Sequence, residues 1–461
     1  MNKHYSILHI SDLHKGENND FDHLFASLCN DADSYDQDIP KPEFIVVCGD
    51  LAEGANGEDA EEKIVKQYQE VESFLDKLVR HFLNGDKSRI IIVPGNHDLY
   101  RGATIRSMEA IPDDIRESAK ERYLKGDPQY RWSWKDFCFY LINKEEEYAS
   151  RFKFFVEFYN RFYEGIRTID DCDMLNKIID FPEYNIAFAT FNSCYRIDHL
   201  NQIGAINSKA IAESQSELSK VFKYGRFIVG VWHHNISGIP TQTNYLDPRV
   251  LHSLMDFHIQ LGLYGHQHHT EALYEYHDIF KQGRMTLISS GCLYGRGKTM
   301  PEGTHCQYNI LEIVQSEEKV NVILHVREDE TAWDIPSWRR KLIEGKDSYS
   351  MAFNLPAIDY SRVLADCLNQ AKVENNYKEA IENLISTANK FIDEFLQKIS
   401  NHDICTLEFE PMTIAQVIAV MGASIETHNW DTFDKAVMSA DKHGLRNWQT
   451  NVLIEDANKI R

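Results

Sequence analysis

Short apolar segments recur along the first three quarters of the chain, and each ends in glycine or in a polar residue. Their high content of β-branched residues predicts buried strands. These segments are SILHIS (6–11), EFIVVC (43–48), RIIIV (89–93), NIAFATF (185–191), RFIVGVW (226–232), HIQLGLY (258–264) and MTLIS (285–289). Two more, YNILEIV (308–314) and KVNVILHV (319–326), alternate around a QSEE turn. That alternation predicts an antiparallel hairpin.

Helical patterns lie between the predicted strands. Apolar positions at three- and four-residue steps are clearest at 58–83, and strands alternating with such helices predict an α/β layered domain over about 1–330. Residues 101–180 interrupt this alternation, and we interpret them as a helical insertion over the sheet's edge. The aromatic side chains of RFKFFVEFYNRFYEG (151–165) are expected in its core rather than in contact with a substrate.

Strand patterns fade after TAWDIPSWRR (331–340). Helical patterns such as YKEAIENLISTANKFIDEFLQKI (377–399) follow. We therefore predict two domains, at 1–335 and 341–461, and the second is expected to be all-helical, with no role that the sequence indicates.

Composition limits the class of protein. The chain has 461 residues, 43% of them hydrophobic and 26% charged, and no segment approaches the roughly 18 consecutive apolar residues of a membrane helix. The start, MNKHYSILHISDLH, lacks the pattern of a secretory signal, so we expect a soluble, cytoplasmic protein without membrane attachment.

Charge and cysteine content narrow the candidates further. The net charge of −22 opposes charge-driven adhesion to nucleic acid or anionic membranes, although a local basic groove is compatible with it. The nine cysteines are scattered without a C-x-x-C pair, so neither a disulfide framework nor a thiolate zinc site is expected.

Polar residues of metal-ligand types follow five of the predicted strands. The clusters are Asp12-Leu13-His14, Gly49-Asp50, Gly95-Asn96-His97-Asp98, His233-His234 and Gly265-His266-Gln267-His268. A single cluster of this kind is usually a turn or a helix cap. Five in order, each closing a strand, instead favour one site, because the carboxyl ends of strands in an α/β sheet meet at a common crevice.

The residue types in these clusters indicate the chemistry. Residues two apart in an extended segment point the same way, so Asp12 and His14 are able to share an ion. Carboxylate and amide oxygens mixed with imidazoles suit Mn²⁺, with Fe or Zn²⁺ as alternatives. Seven candidate ligands imply two divalent ions, and they are Asp12, His14, Asp50, Asn96, His233, His266 and His268.

The ordered set D-x-H, G-D, G-N-H-D, H and G-H-x-H resembles the calcineurin-like metallophosphoesterase superfamily, in particular its dinuclear phosphodiesterase and nuclease members. The resemblance covers about 1–330. It implies an α/β (α+β) fold, a four-layer β-sandwich flanked by helices. It also implies that Asp12, His14 and His268 hold one ion, that Asn96, His233 and His266 hold the other, and that Asp50 bridges them. The doublet leaves His233 or His234 as the ligand, and we favour His233.

Phosphodiester hydrolysis needs a nucleophile, charge relief and a proton for the leaving group. Two ions that share a bridging hydroxide would meet the first two needs. His97 is expected to act as the general acid, with Asp98 orienting its ring. Asn192 and Arg296 are candidate substrate-binding residues. A turn-capping role for Asn192 and a solvated role for Arg296 are the alternatives.

These inferences predict a metal-dependent phosphoric ester hydrolase that cleaves phosphodiesters, with nucleic acid as a candidate substrate. A cyclic-nucleotide or other small-molecule phosphodiesterase is the first alternative. The second is a non-catalytic, metal-bound scaffold that binds a protein partner through 341–461.

Overall fold

The computed structural model describes residues 3–16, 20–35, 38–237, 244–278, 283–294, 304–316, 318–331, 336–356, 390–397, 399–407 and 409–461. Its strands, in chain order, are β1 (Lys3–Ile10), β2 (Pro42–Val47), β3 (Ile90–Ile92), β4 (Met108–Ala110), β5 (Tyr130–Ser133), β6 (Cys138–Ile142), β7 (Ile178–Phe181), β8 (Ile186–Thr190), β9 (Phe227–Val231), β10 (Leu261–Tyr264), β11 (Ala272–Asp278), β12 (Gly283–Ser289), β13 (Gln307–Gln315), β14 (Lys319–Asp329), β15 (Trp338–Lys341) and β16 (Tyr349–Asn354). All of the strands predicted from the apolar segments are confirmed.

The helices are α1 (Phe21–Ser34), α2 (Ala60–Leu83), α3 (Arg101–Arg106), α4 (Arg116–Leu124), α5 (Glu145–Ala149), α6 (Lys153–Tyr163), α7 (Ser208–Lys223), α8 (Arg249–Asp256), α9 (Lys390–Leu396), α10 (Asn401–Ile404), α11 (Ile414–Glu426), α12 (Trp430–Lys442) and α13 (Trp448–Ile460). Among the described residues, no helix is both long enough and apolar enough to cross a bilayer.

Two mixed sheets form the core of the first compact unit, residues 1–180, 187–219 and 227–355. One sheet has the order β15-β14-β13-β1-β2-β3, with β16 also on β14, and the other has the order β11-β12-β10-β9-β8-β7. Their buried faces meet where Phe44 of β2 packs on Phe188 of β8, with ring centroids 5.3 Å apart. Helices such as α2 and α8 cover the outer faces through amphipathic stripes of buried leucine, valine and phenylalanine. The expected sandwich flanked by helices is confirmed.

Parallel pairing decides where the site forms. Strands β1, β2 and β3 run parallel, and so do β9, β10 and β12. Their carboxyl ends therefore lie at common edges of the two sheets.

The insertion at 101–180 is only partly helical, which corrects the prediction. It contains the antiparallel sheet β4-β6-β5. Tyr130–Ser133 and Cys138–Ile142 give little strand signal, because they are only four and five residues long and contain a single β-branched residue between them. The aromatic helix α6 does bury Phe154, Phe155, Phe158, Tyr159, Phe162 and Tyr163, as expected of core residues.

The expectation that the chain is helical from 341 onward is wrong. Strand β16 at Tyr349–Asn354 pairs with the first half of β14, and β15 pairs with its last residues. Both are short edge strands, and neither contains a β-branched residue, so they lack the pattern that predicted the other strands. The first unit therefore extends to Leu355, beyond the predicted boundary at 335.

The second unit comprises residues 181–186, 220–226 and 356–461. Its described C-terminal part consists of α9 to α13, which bury Ile392, Phe395, Val417, Met421, Phe433 and Ala440. Side-chain caps set the starts of three helices, because Thr413, Asn429 and Asn447 each accept a hydrogen bond from a backbone N–H in the first turn. Most of the helix predicted at 377–399 lies outside the described residues.

Candidate active site

Five loops at the strand ends gather the predicted ligands. Asp12 and His14 follow β1, Asp50 follows β2 and Asn96 follows β3. His233 follows β9, and His266 and His268 follow β10. The first three strands and the last two belong to different sheets, so the site lies where the edges of the sandwich meet.

Unusual backbone conformations aim these side chains. Asp12, His14, Asp50, His266 and His268 all have a positive φ, between 41° and 71°. Residues other than glycine rarely adopt this region, and strain of this kind concentrates at functional sites. Five of the seven predicted ligands therefore carry backbone strain that the surrounding fold must maintain.

One half of the cluster combines two imidazoles and a carboxylate. The Nε2 atoms of His14 and His268 lie 3.1 Å apart, and Oδ1 of Asp12 lies 3.6 Å from the first and 3.4 Å from the second. That oxygen is buried and has no hydrogen-bond partner among the described residues. Two imidazole nitrogens and an unpartnered carboxylate oxygen at these distances are suited to bind one shared cation.

The other half is built around His233. Its Nε2 atom lies 3.0 Å from Oδ1 of Asn96 and 3.2 Å from Nδ1 of His266. Oδ2 of Asp50 lies 3.4 Å from Nε2 of His233 and 3.9 Å from Nε2 of His14. One carboxylate oxygen thus stands between the two halves.

This donor set fits a pair of divalent cations. Ligand atoms bonded to one cation at about 2.0–2.2 Å lie about 3.0–3.5 Å from each other, close to the separations in both halves. The groups His14–Asp50–His97 and Asp50–His233–His266 each bring their donor atoms within 4.8 Å of one another. Asp12, His14 and His268 would hold one ion, Asn96, His233 and His266 the other, and Asp50 both.

Hydrogen bonds from outside the cluster orient its ligands. Nδ1 of His233 lies 2.6 Å from the carbonyl oxygen of Cys48, so the Nδ1–H donates there and Nε2 faces the cluster. In the neighbouring His234, Nδ1 lies 2.9 Å from Oγ of Ser193, and the ring packs against that of His266 with centroids 4.5 Å apart. Among the described residues, His233 and not His234 belongs to a group of donor atoms close enough to share an ion, so His233 stays the favoured ligand.

Burial and charge perturb the titration of these groups when no cation is present. Burial lowers the pKa of His14 to about 4 and that of His266 to about 3. Burial also acts to lower the pKa of His233, but the adjacent Asp50 outweighs it and raises that pKa to about 9. The His233 imidazole thus carries a proton beside Asp50 that a cation would have to displace.

His97 lies at the edge of the cluster. Its ring is 4.8 Å from that of His14, and its backbone N–H donates to Oδ1 of Asp50 over 2.7 Å. Nδ1 lies 3.1 Å from the carbonyl oxygen of Glu53, which leaves Nε2 for the cleft. This position suits a general acid.

The prediction that Asp98 orients the ring of His97 is wrong. The buried Asp98 carboxylate accepts hydrogen bonds from the backbone N–H groups of Leu51, Ala52 and Gly95 and from the hydroxyl of Tyr68. It therefore ties together the two loops that carry Asp50 and Asn96, while a backbone carbonyl orients His97. Burial, together with the charge of Asp50, raises the pKa of Asp98 to about 6.

Asn192 and Arg296 are the two predicted substrate-binding residues, and the structure describes only Asn192. Asn192 is 1% exposed; its amide donates to the carbonyl of Cys172, and its oxygen accepts from the backbone N–H of Cys194. It stabilises a turn and does not contact the cleft, so the substrate-binding assignment is wrong. Arg296 lies outside the described residues.

A cleft of about 230 Å³ opens beside the cluster. It is lined by Asp50, Asn96, His97, Leu99, Arg101, Ile197, Asp198, Gln202, Asn244, His266 and His268. Gln202, Asn244 and Asp198 stand in loops without a motif, so the sequence gives no signal for them. Proximity of Arg101 to the G-N-H-D motif was the one available signal.

Cys292 is a further residue near the cluster that the sequence did not reveal. Its sulfur lies within 4.8 Å of donor atoms of His14 and His268 and donates to the carbonyl of Asp12 over 3.1 Å. Burial raises the pKa of this thiol well above its usual value. Without a cation, Cys292 is therefore a neutral side chain that packs behind the ligands.

Comparison with known proteins agrees with this geometry. The model of the calcineurin-like phosphoesterase family matches residues 5–270. The DNA polymerase II small subunit of Methanocaldococcus jannaschii is 29% identical over 133 residues, which cover 26% of this chain and only 21% of that relative.

Similar solved structures include a dimetal phosphatase from Danio rerio. Its sequence identity is 14% and its TM-score is 0.34, and the match covers 69% of this chain and 95% of the phosphatase chain. GAP50, the anchor in the inner membrane complex of Plasmodium, has 12% identity, a TM-score of 0.36 and coverage of 84% and 95%. Because the family model spans more than half of the chain and the ligand-type residues of its five loops converge, the chain belongs to the calcineurin-like phosphoesterase family.

Proposed function

We propose that this protein is a dinuclear metal-dependent phosphodiesterase whose substrates include nucleic acid. The observation that carries the proposal is the position of Asp50, whose Oδ2 lies between His14 and His233 at 3.9 and 3.4 Å. One carboxylate that serves two ligand groups is the arrangement a two-cation site requires. Such cations would supply Lewis-acid chemistry, polarising the phosphoryl oxygens and lowering the pKa of water.

The chain's own residues supply the rest of the chemistry. His97 would protonate the departing oxygen, since Nδ1 is engaged by the carbonyl of Glu53 and Nε2 faces the cleft. A proton donor matters most for alkoxide leaving groups, such as the sugar hydroxyls of nucleic acid. The buried Asp98 would hold the loops of Asp50 and Asn96 in register.

Three observations support phosphodiesters of nucleic acid as substrates. The first is the acid at the cleft edge. The second is Arg101, a cation in the cleft wall of a chain with a net charge of −22. The third is the similarity to the DNA polymerase II small subunit of Methanocaldococcus jannaschii, whose name connects that protein with DNA synthesis.

We also propose Mn²⁺ as the working ion and the cytoplasm as the compartment. The mixture of carboxylate, amide and imidazole donors suits Mn²⁺. The eight cysteines among the described residues are all free thiols, as expected in a reducing compartment. A partner-binding role of the C-terminal helices stays a prediction.

A substrate panel with a matched pair of variants tests the proposal. Mn²⁺-loaded protein is offered p-nitrophenyl phosphate, bis-p-nitrophenyl phosphate, cyclic nucleotides, and single- and double-stranded DNA. His97→Ala is expected to keep its metal content and to lose about 10²- to 10⁴-fold in rate on DNA, because a general acid contributes about this much. The loss on bis-p-nitrophenyl phosphate should be smaller, since p-nitrophenolate leaves without a proton.

His23→Ala, at an exposed position on α1, is the control and should match the unaltered protein. Turnover of monoesters alone would show that the diester assignment is wrong. No turnover of any phosphoester by the loaded protein would instead favour the scaffold alternative.

A further inference from the structure

Arg101 is a cation of the cleft wall without a partner among the described residues. It begins α3 directly after the G-N-H-D-L-Y segment and lines the same cleft as Asp50, His97 and His266. Its guanidinium forms no hydrogen bond or ion pair with any residue in the described ranges, although many other arginines in the insertion are paired. An exposed arginine in a cleft that binds anions is available to a ligand.

The backbone that carries Arg101 is firmly anchored. The preceding N–H, of Tyr100, donates to the carbonyl of the buried Arg151 over 2.6 Å. Arg151 in turn pairs with Asp173 at 2.6 Å. The carbonyl of Arg101 itself accepts from the hydroxyl of Thr104 over 2.9 Å. The backbone position of Arg101 is therefore fixed, while its guanidinium has no partner among the described residues.

The acidic residues of the cleft do not compete for Arg101. Asp50 is 1% exposed and lies among the ligand histidines. The side chain of Asp198 is 0% exposed and is paired with Arg131 at 2.7 Å. Asp198 also accepts hydrogen bonds from the hydroxyl of Tyr148 and from the backbone N–H groups of Leu200 and Asn201. All of its acceptor positions are thereby engaged.

A neutral amide accompanies Arg101 in the cleft wall. Gln202 lines the same cleft, and its side chain has no hydrogen-bond partner in the part of the chain that the structure describes. A guanidinium and an amide with free donors are suited to phosphate oxygens, and a phosphate held between the two cations would already have its charge neutralised. The donors of Arg101 and Gln202 are therefore available to bind a second anionic group.

We propose that Arg101, assisted by Gln202, forms a second phosphate subsite, so that the substrates are nucleotide chains with two successive phosphates. This inference rests on the proposed function, which places the scissile phosphate at the cluster of Asp50. The cleft volume of about 230 Å³ is below the roughly 300–1,000 Å³ of sites for drug-sized ligands. It accommodates the scissile phosphate and one neighbouring group, while the rest of a longer chain stays outside.

An equilibrium measurement tests the subsite independently of turnover. Calorimetry on Mn²⁺-loaded protein compares thymidine 3′,5′-bisphosphate with thymidine 5′-phosphate and thymidine 3′-phosphate. The bisphosphate should bind about tenfold or more tightly than either monophosphate, the usual effect of a charge-assisted contact. Arg101→Gln should remove this preference and leave the affinity for monophosphates unchanged, and Arg101→Lys should keep part of it.

Arg249→Gln is the matched control, because Arg249 is an exposed arginine paired with Asp247 and does not line the cleft. The proposal is overturned if the unaltered protein does not prefer the bisphosphate. Equal losses of affinity for the bisphosphate and the monophosphates in Arg101→Gln would place Arg101 on the scissile phosphate and would also overturn the proposal. Unchanged affinity for the bisphosphate in Arg101→Gln would overturn it as well.

Turnover separates this inference from the proposed function. If the bisphosphate preference depends on Arg101 but no diester is hydrolysed, the catalytic assignment fails and the subsite stands. If diesters are hydrolysed and the preference is absent, the subsite fails alone.

Discussion

The hydroxyl of Tyr68 donates a hydrogen bond to Oδ1 of Asp98 over 2.9 Å. The same carboxylate accepts three backbone N–H groups from the loops after β2 and β3. A single buried side chain thus joins the loops that carry Asp50 and Asn96 to helix α2. Loss of any of these bonds should loosen the site before it unfolds the protein.

Replacing Tyr68 by phenylalanine should therefore lower the affinity for Mn²⁺ and cost about 1 kcal/mol of unfolding free energy. Tyr163→Phe is the matched control, because its hydroxyl donates to the carbonyl of Ile90 over 2.8 Å, away from the ligand loops. Calorimetric Mn²⁺ titration and urea denaturation check both variants. Equal Mn²⁺ affinities in the two variants would contradict the role given to Asp98.

Gly95 stands where a side chain would strike Asp50. A Cβ atom there would lie 2.1 Å from Oδ1 and 2.2 Å from the backbone N of Asp50. Gly95→Ala should displace the carboxylate and reduce the metal content measured by elemental analysis. Gly422→Ala on α11 is the opposite case, since no described atom lies within 4 Å of its Cβ position, and it should stabilise the protein by roughly 0.5–1 kcal/mol. Full metal content in Gly95→Ala would show that metal binding does not depend on the observed position of the Asp50 carboxylate.

The buried pair of Arg131 and Asp198 anchors the insertion to the cleft wall at 2.7 Å. Arg131→Met should cost about 3–5 kcal/mol, because it leaves a buried carboxylate without its cation. Adding Asp198→Asn should recover part of the loss, since it removes the unpaired charge. Thermal unfolding of the single and double variants measures this difference. Additive losses would show that the two side chains act independently.

Buried His9 should make stability depend on pH. Burial lowers the pKa of His9 to about 3, well below the 6.5 expected in the unfolded chain. The unfolded state therefore takes up a proton as the pH falls below about 6.5 while the folded state does not. Stability conferred by the neutral ring is present above that pH and is lost toward pH 3, by on the order of 1.4 kcal/mol per pH unit.

Urea denaturation of metal-free protein between pH 7 and pH 4 measures this slope. His9→Gln should reduce the slope by about one proton. His23→Gln, at an exposed position, should leave it unchanged. Identical slopes in the His9 variant and the unaltered protein would rule out this contribution.

The sequence by itself determined the strands and the identities of the ligand-type residues. Apolar runs such as RIIIV form strands because burial on both faces requires continuous hydrophobicity, and that signal is local. The ligand-type residues were recognisable because five clusters of aspartate, asparagine and histidine each follow a predicted strand directly. Both inferences use only neighbouring positions in the chain.

Tertiary structure alone decided the contacts between distant segments. The partner of Asp98 is the backbone of Leu51, 47 positions earlier, and not the adjacent His97. Strand β16 forms because β14 offers it an edge, and its own residues include no β-branched side chain. The guanidinium of Arg101 likewise lacks a partner among the described residues because the fold pairs Asp198 with Arg131. Hydrogen bonds and ion pairs across loops depend on where the fold brings the chain together, which no local pattern encodes.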